Sequence, residues 1–365
     1  TEHVRSGEIR CWITVHNMIC LCTRRLACLF PSARFRVPPS TSFRVSPSPL
    51  PAAARLPVAG LVHARMVTVP AVERFHTFRN VEHVRRVSTS TACALRTACC
   101  AGVDPGNPSS RNEQETSMLY YDDPHLYDVA VNFRNFEQEV DFVLQVADEF
   151  LESPLQSALE LAAGPAQHAV ELAKRGVSVV ALDNEEAMVN LGKAKADKAG
   201  VPLEYICGDM ASFAPPPGGQ AQLVYCMFGS LTHMLTNDAV IGCLTSAKAA
   251  LAPGGCVLLE LPHPTDALHA EDLLGDAWEA RDEERNTRLM VEWGREGDPF
   301  DPLTQVLQRT VCFTVLDARG EMVQSKETVL LQRLFTATEF DALARASGLE
   351  IVQVYGALDR CVPLN

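Results

Sequence analysis

Residues 158–183 read ALELAAGPAQHAVELAKRGVSVVALD, and this stretch decides the fold class. It opens with a short apolar run, 158–162, and turns at Gly164-Pro165. Residues 166–175 then look helical and end at Gly176. A second apolar run, 177–182, stops at Asp183. A strand, a turn, a helix and a strand in this order predict a βαβ unit with two parallel strands.

The same alternation of short apolar runs and helical stretches continues toward the C-terminus. Two further helices and three further strands follow, at 185–199 (helix), 203–207 (strand), 223–228 (strand), 240–251 (helix) and 256–261 (strand). Thr236 or Asn237 is the expected cap of the second of these helices. Strands that alternate with helices of this length form parallel sheets. We therefore predict an α/β fold, with a doubly wound, mostly parallel, Rossmann-like sheet.

The pattern differs on either side of this core. Before it, apolar residues at steps of three and four over 133–150 predict an amphipathic helix. After the fifth strand, 307–315 alternates between apolar and polar residues, turn chemistry follows, and 321–335 returns as a strand. We expect this long antiparallel hairpin to extend from the sheet. A capping box, Thr336-x-x-Glu339, then opens a last helix, and 349–355 is one more strand.

The first 117 residues have a composition of their own. They hold 15 Arg, no Lys and 7 Asp or Glu, a net charge of +8, whereas residues 118–365 carry −21. The segment is rich in Ser and Pro and has no regular period, which is typical of an organelle transit peptide. Since the chain begins with Thr and the ordered pattern starts at Met118, untranslated or artefactual sequence is an equal alternative.

This split sets the expected domains and location. We expect 1–117 to be an unstructured leader and 118–365 to be one folded domain. The protein would be cytoplasmic if Met118 is the start, and in a plastid or mitochondrion if the leader is real. The net charge of −13 disfavours nucleic acid as a partner, and no uncharged apolar run is long enough to span a membrane. No cluster of His, Asp, Glu or Cys has the spacing of metal ligands, so no metal is expected.

Candidate ligand-binding residues follow the ends of the predicted strands. In an open α/β sheet, ligands bind outside the carboxyl ends of the strands. After the first strand, the small residues Ala162 and Gly164 let the backbone approach a ligand. Asp183 is placed to accept hydrogen bonds from ribose hydroxyls. Asp209-Met210 offers an acceptor for an exocyclic amine beside an apolar side chain.

Together these elements resemble the class I S-adenosylmethionine-dependent methyltransferases. Glu160 and Gly164 match the acid and a glycine of their first motif, although Ala162 and Ala166 replace two other glycines. Asp183, 23 residues beyond Glu160, matches the acid that binds the cofactor ribose. Asp209-Met210 matches the adenine-contacting pair, and 251–255 matches the turn into the fifth strand. The resemblance covers about residues 118–355, and it is greatest for the small-molecule members.

The resemblance implies an enzyme that uses S-adenosyl-L-methionine to methylate a nitrogen or oxygen atom of a small molecule by in-line displacement. The cofactor-binding residues that it implies are Glu160, Ala162, Gly164, Asp183, Asn184, Asp209, Met210 and Met227. His233 and His263 follow the fourth and fifth strands and are candidate bases or substrate contacts. Tyr127 and Phe228 are candidate substrate contacts. The family's sheet closes with a reversed seventh strand, for which the last residues are too short, so we expect a truncated C-terminus.

Two other classes of protein stay open. A catalytically inactive relative that binds a partner is compatible with the altered first motif. An NAD(P)-dependent oxidoreductase would also need a small-residue turn and a later acid, but it expects Gly-x-Gly-x-x-Gly where this chain has Ala162, Gly164 and Gln167. Binding of S-adenosylmethionine or of NADH distinguishes these classes.

Overall fold

The computed structural model describes residues 10–15, 64–69, 84–86, 123–262 and 275–364. The strands that it contains are β1 Arg10–Val15, β2 Ala64–Val69, β3 Val84–Arg86, β4 Ser157–Leu161, β5 Ser178–Asp183, β6 Glu204–Cys207, β7 Ala221–Cys226, β8 Leu251–Leu261, β9 Asp276–Asp282, β10 Thr287–Trp293, β11 Phe300–Asp301, β12 Val306–Leu316, β13 Met322–Arg333 and β14 Leu349–Val354. The helices are α1 Pro124–Val131, α2 Phe136–Phe150, α3 Gln167–Lys174, α4 Glu186–Ala199, α5 Asn237–Ala250 and α6 Ala337–Ala346.

The first sheet is parallel and has the strand order β1-β14-β2-β8-β7-β4-β5-β6. From β4 the chain proceeds to β5 and β6 on one side, and β7 and β8 lie on the other. The order therefore reverses between β4 and β7, where ligands bind in doubly wound sheets. In this register Glu160 lies beside Ala181 of β5 and Tyr225 of β7. The predicted fold class is confirmed.

Helices cover both faces of this sheet because the buried strands alternate their apolar side chains. Leu159 and Leu161 of β4 pack in a core with α5 and α6, whereas Ala158 packs on the opposite face with α2 and α3. The helix boundaries follow their caps: Asn135 caps α2, Thr236 caps α5, and the predicted capping box of Thr336 and Glu339 opens α6. The fifth strand is longer than predicted, since β8 begins at Leu251.

The second sheet is antiparallel and follows the fifth strand, as predicted. Its order is β11-β12-β10-β9-β3, and β13 pairs with β12 along almost its whole length. The β12–β13 turn runs from Asp317 to Glu321, and Gly320 has a φ of 88° there, which glycine adopts without strain. This sheet packs its inner face, including Trp278 and Phe313, against α1.

Three short strands lie within residues 1–117, which the sequence predicts to be an unstructured leader. β1 pairs with β8 and β14, β2 pairs with the same two strands, and β3 pairs with β9. Residues 10–15 and 64–69 both contain β-branched residues, which favour strands. The Arg-rich and Pro-rich composition around them obscures that signal. Whether the segment is a transit peptide or untranslated sequence stays a prediction.

Candidate functional site

A cleft with a volume of about 250 Å³ opens at the carboxyl ends of the parallel strands. Its wall combines loops of the parallel sheet with residues of α1 and the antiparallel sheet. The residues that line it are Tyr127, Ala162, Gly164, Leu182, Asp183, Asn184, Met188, Gly208, Asp209, Met210, Phe228, Ser230, His233, Met234, Trp293 and Gln332. Most of the residues that the sequence singled out therefore converge on one cleft.

The loop after β4 has the backbone of a glycine-rich turn, although it contains two alanines. Ala162, Gly164 and Ala166 have φ angles of 50°, 52° and 58°, in the left-handed region that favours glycine. The two alanines occupy the positions where the first motif of the class has glycine. The substitution therefore keeps the conformation of the loop at the cost of local strain.

Hydrogen bonds hold the peptide groups of this loop in place. The Ala163 N–H donates to the Leu182 carbonyl at 3.0 Å, and the Tyr205 hydroxyl donates to the Gly164 carbonyl. Tyr205 reaches this position because Gly192 of α4 has no side chain, and a Cβ there would lie 2.4 Å from the Tyr205 ring. Burial raises the pKa of Tyr205 far above its usual value, so its hydroxyl stays a donor.

Asp183 lies at the carboxyl end of β5 and faces the loop. One carboxylate oxygen accepts the Gly164 N–H at 2.8 Å, and the other accepts the Glu185 N–H at 3.0 Å. Burial raises the pKa of Asp183, while these two hydrogen bonds oppose the rise. Each oxygen keeps a lone pair that can accept a hydrogen bond from a ligand.

The next strand end supplies a second acidic residue. Asp209 follows β6, is exposed, and accepts the Ala211 N–H at 2.8 Å through one oxygen. Met210 is buried behind it, and Met188 of α4 adds a second thioether to the wall. Two carboxylates separated by apolar side chains fit a ligand with hydroxyl and amine donors around a flat apolar part.

Part of the wall of the cleft is aromatic. Tyr127 of α1, Phe228 after β7 and Trp293 of β10 all contribute to it. Phe228 has a φ of 64°, and its N–H donates to Glu260 at 2.6 Å. The Arg134 guanidinium lies over the Phe228 ring at 4.1 Å from the centroid, a cation–π contact. This support behind Phe228 fixes the position of its ring.

His233 ends a short 3-10 helix, Ser230–His233, that follows Phe228. The His233 side chain is exposed to solvent and lines the cleft. Desolvation by the neighbouring protein atoms lowers the pKa of His233, and a hydrogen bond with the backbone of Leu331 opposes the effect. The imidazole is therefore neutral at pH 7 and can accept a proton.

A buried chain of charged groups runs beneath the cleft. Glu160 accepts the Tyr225 hydroxyl at 3.1 Å and lies 3.4 Å from His168, whose other ring nitrogen is 2.7 Å from Glu139. Arg134 then forms bidentate hydrogen bonds with both Glu139 and Glu260. Burial alone would lower the pKa of His168, but its bonds to Glu139 and Glu160 outweigh burial and raise it to about 9.

Two predicted site residues in the described part of the chain do not line the cleft. Glu160 and Met227 are buried and do not line the cleft. Glu160 points instead into the charged chain, because alternation along β4 turns it toward α3. His263 lies outside the described residues. Seven cleft residues were not among the predicted site residues, namely Leu182, Met188, Gly208, Ser230, Met234, Trp293 and Gln332.

No group of three or more His, Cys, Asp or Glu side chains in the described part of the chain is arranged to hold a metal ion. No helix there is long and apolar enough to cross a membrane.

Comparisons with known proteins agree with this geometry. A family described as "Methyltransferase domain" matches residues 158–255, the segment from β4 into β8. DesVI of Streptomyces venezuelae has a TM-score of 0.53 and 22% sequence identity, over 64% of this chain and 93% of that chain. An S-adenosylmethionine-dependent methyltransferase from Clostridium acetobutylicum ATCC 824 has a TM-score of 0.51 and 16% identity, over 63% and 87%. No curated protein sequence matches the chain.

Proposed function

We propose that this chain, which matches a methyltransferase-domain family over residues 158–255 and shares the fold of an S-adenosylmethionine-dependent methyltransferase, methylates a nitrogen or oxygen atom of a small molecule. S-adenosyl-L-methionine is its cofactor. The observation that carries the proposal is the cleft itself. Two carboxylates at strand ends, Asp183 and Asp209, line it together with three aromatic side chains and a neutral histidine.

The described residues fit the cofactor. Asp183 is held by two backbone N–H groups and keeps lone pairs for the ribose hydroxyls. Asp209 and Met210 offer an acceptor and an apolar surface to the adenine. The loop of Ala162 and Gly164 lines another part of the cleft, where its small side chains let the amino-acid portion of the cofactor approach closely.

The charge and size of the methyl acceptor follow from the residues that line the cleft. No Lys or Arg is among the described residues that line the cleft, so nothing there pairs with a phosphate or a carboxylate. The net charge of −21 over residues 118–365 likewise disfavours a polyanionic substrate. A small, uncharged or cationic acceptor enclosed by Tyr127, Phe228 and Trp293 is the substrate that these residues support.

The chain contributes alignment, exclusion of water and a proton acceptor. Bound S-adenosylmethionine would supply an activated methyl group, with the lone pair of the acceptor atom as nucleophile and sulfur as the leaving group. The aromatic side chains would hold the acceptor in place and exclude water, and such positioning contributes to rate enhancement. If the acceptor is a hydroxyl or an ammonium, its proton passes to neutral His233 and then to solvent.

The test is turnover by the full chain, followed by mass spectrometry of S-adenosylhomocysteine and of the methylated product. A panel of small amines and hydroxyl compounds serves as acceptors. His233→Asn is expected to lower kcat by about 10²–10⁴ for an acceptor that must lose a proton. The affinity for S-adenosylhomocysteine should not change. Cofactor binding without turnover of any acceptor would instead indicate an inactive relative.

A further inference from the structure

Gln332 of β13 lines the cleft from the antiparallel sheet. Its Oε1 accepts a hydrogen bond of 2.7 Å from Nε of Arg309. A guanidinium can only donate, so the oxygen of the Gln332 amide must face Arg309. The amino group of the same amide therefore points away from Arg309.

The second contact of Gln332 agrees with this orientation. Its Nε2 lies 3.4 Å from the Thr232 hydroxyl oxygen, and that hydroxyl donates to the Gly229 carbonyl at 2.7 Å. In the chain of hydrogen bonds from Arg309 through Gln332 and Thr232 to Gly229, each residue thus donates to the next. The long contact with Thr232 uses at most one of the two Nε2 protons. Over the described chain, the amide of Gln332 has no other acceptor for the second proton.

The position of Arg309 beside Gln332 costs free energy, because its charge is partly removed from water. It is half-buried on β12, and within the described residues no carboxylate lies within ion-pair distance of it. Burial lowers the pKa of Arg309, and the more distant Asp298 and Asp276 only partly offset the effect. Its remaining hydrogen bond goes to the Trp293 carbonyl at 3.2 Å. Gly294 leaves room for it, because a Cβ there would lie 2.7 Å from Nη1.

Arg309 therefore donates hydrogen bonds to two residues that line the cleft, the side chain of Gln332 and the backbone of Trp293. We propose that Gln332 determines acceptor specificity by donating a hydrogen bond to an uncharged oxygen next to the methylated atom, and that Arg309 is the positioning residue that orients it. The acceptor class is then a small molecule with an ether, hydroxyl or carbonyl oxygen vicinal to the amine or hydroxyl that receives the methyl group. The inference rests on the proposed methyl transfer.

The test compares acceptors that differ by a single oxygen. Two series are used with the full chain: cyclohexylamine against 2-methoxycyclohexylamine, and phenol against 2-methoxyphenol. An ether oxygen accepts hydrogen bonds and cannot donate one. The wild type should prefer the methoxy member in kcat/KM by about tenfold or more in the series that it methylates.

Two variants separate the donor from its support. Gln332→Glu keeps an oxygen for Arg309 and should fold normally, but it turns the donor into an acceptor, so the preference for the methoxy member should disappear. Arg309→Met frees the amide to turn over and should weaken the preference, whereas Arg309→Lys should restore part of it. The affinity for S-adenosylhomocysteine should be the same in all variants.

The possible results divide clearly. A wild type without the preference, a Gln332→Glu variant that retains it, or S-adenosylhomocysteine binding without turnover of either series would overturn the inference. Absence of S-adenosylhomocysteine binding would instead contradict the proposed function itself.

Discussion

The charged chain beneath the cleft predicts a specific dependence of stability on pH. His168 is buried between Glu139 and Glu160, and its pKa is raised to about 9. In the unfolded chain a histidine titrates near pH 6.5. A group whose pKa is higher in the folded state stabilises the fold fully below its unfolded pKa and loses that contribution as the pH rises through the folded value. Stability should therefore fall between about pH 6.5 and pH 9.

The magnitude follows from the same two values. At about 1.4 kcal/mol per pH unit, the difference corresponds to about 3 kcal/mol for complete deprotonation of His168. The assay is urea denaturation of the wild type and of His168→Gln at several pH values from about 6 to 9.5. The variant loses the buried cation and should be less stable near pH 6, by about 3–5 kcal/mol.

The pH dependence of the unfolding free energy, compared between wild type and His168→Gln, tests this prediction. The difference in unfolding free energy between wild type and variant should shrink by about 3 kcal/mol as the pH rises from 6 to 9.5. Parallel curves over this range would refute the reasoning, because they would show that His168 does not lose a stabilising proton there.

Other predictions concern the loop after β4. Ala162→Gly removes a strained left-handed alanine, worth about 1–2 kcal/mol, but adds about 0.4–1 kcal/mol of unfolded-state entropy. It should stabilise the fold slightly, which a rise in Tm would show. Ala166→Gly should be close to neutral, since it also loses a fully buried methyl group beside Gly192; a lower Tm for Ala162→Gly than for Ala166→Gly would contradict this. Tyr205→Phe loses the bond to the Gly164 carbonyl, so titration should show several-fold weaker binding of S-adenosylhomocysteine. Gly192→Ala should have the same effect by displacing Tyr205, and unchanged affinity in both variants would refute the role of Tyr205.

Local patterns in the sequence predicted the sheet and the strand-end residues that line the cleft. The residues from Ala158 to Asp183 carry the turn and helix signals of a βαβ unit, and the position of each acid after a strand follows from topology alone. Ala162, Gly164, Asp183 and Asp209 needed only these local signals. The left-handed φ angles of Ala162 and Ala166 show that the loop conformation persists without two of its glycines.

The parts that sequence analysis missed depend on contacts between distant segments. Gln332 lies 100 residues from Thr232, and Arg134 lies 126 residues from Glu260. No periodicity within β13 distinguishes a glutamine that faces a cleft from one that faces solvent. Glu160 was assigned to the cofactor because it matches the acid of the family's first motif, but its contacts are with His168 and Tyr225, which only the packed structure brings beside it.

The most direct test of the account is calorimetric titration of the full chain with S-adenosylhomocysteine and, separately, with NADH. The account predicts micromolar binding of S-adenosylhomocysteine and none of NADH. Asp183→Ala should weaken the binding by about 10–100-fold, because it removes hydrogen bonds to a charged acceptor. The affinity of Asp183→Asn, which keeps the shape of the side chain, should lie between that of the wild type and that of Asp183→Ala. Binding of NADH alone, or S-adenosylhomocysteine affinity that is unchanged in Asp183→Ala, would contradict the assignment of this cleft.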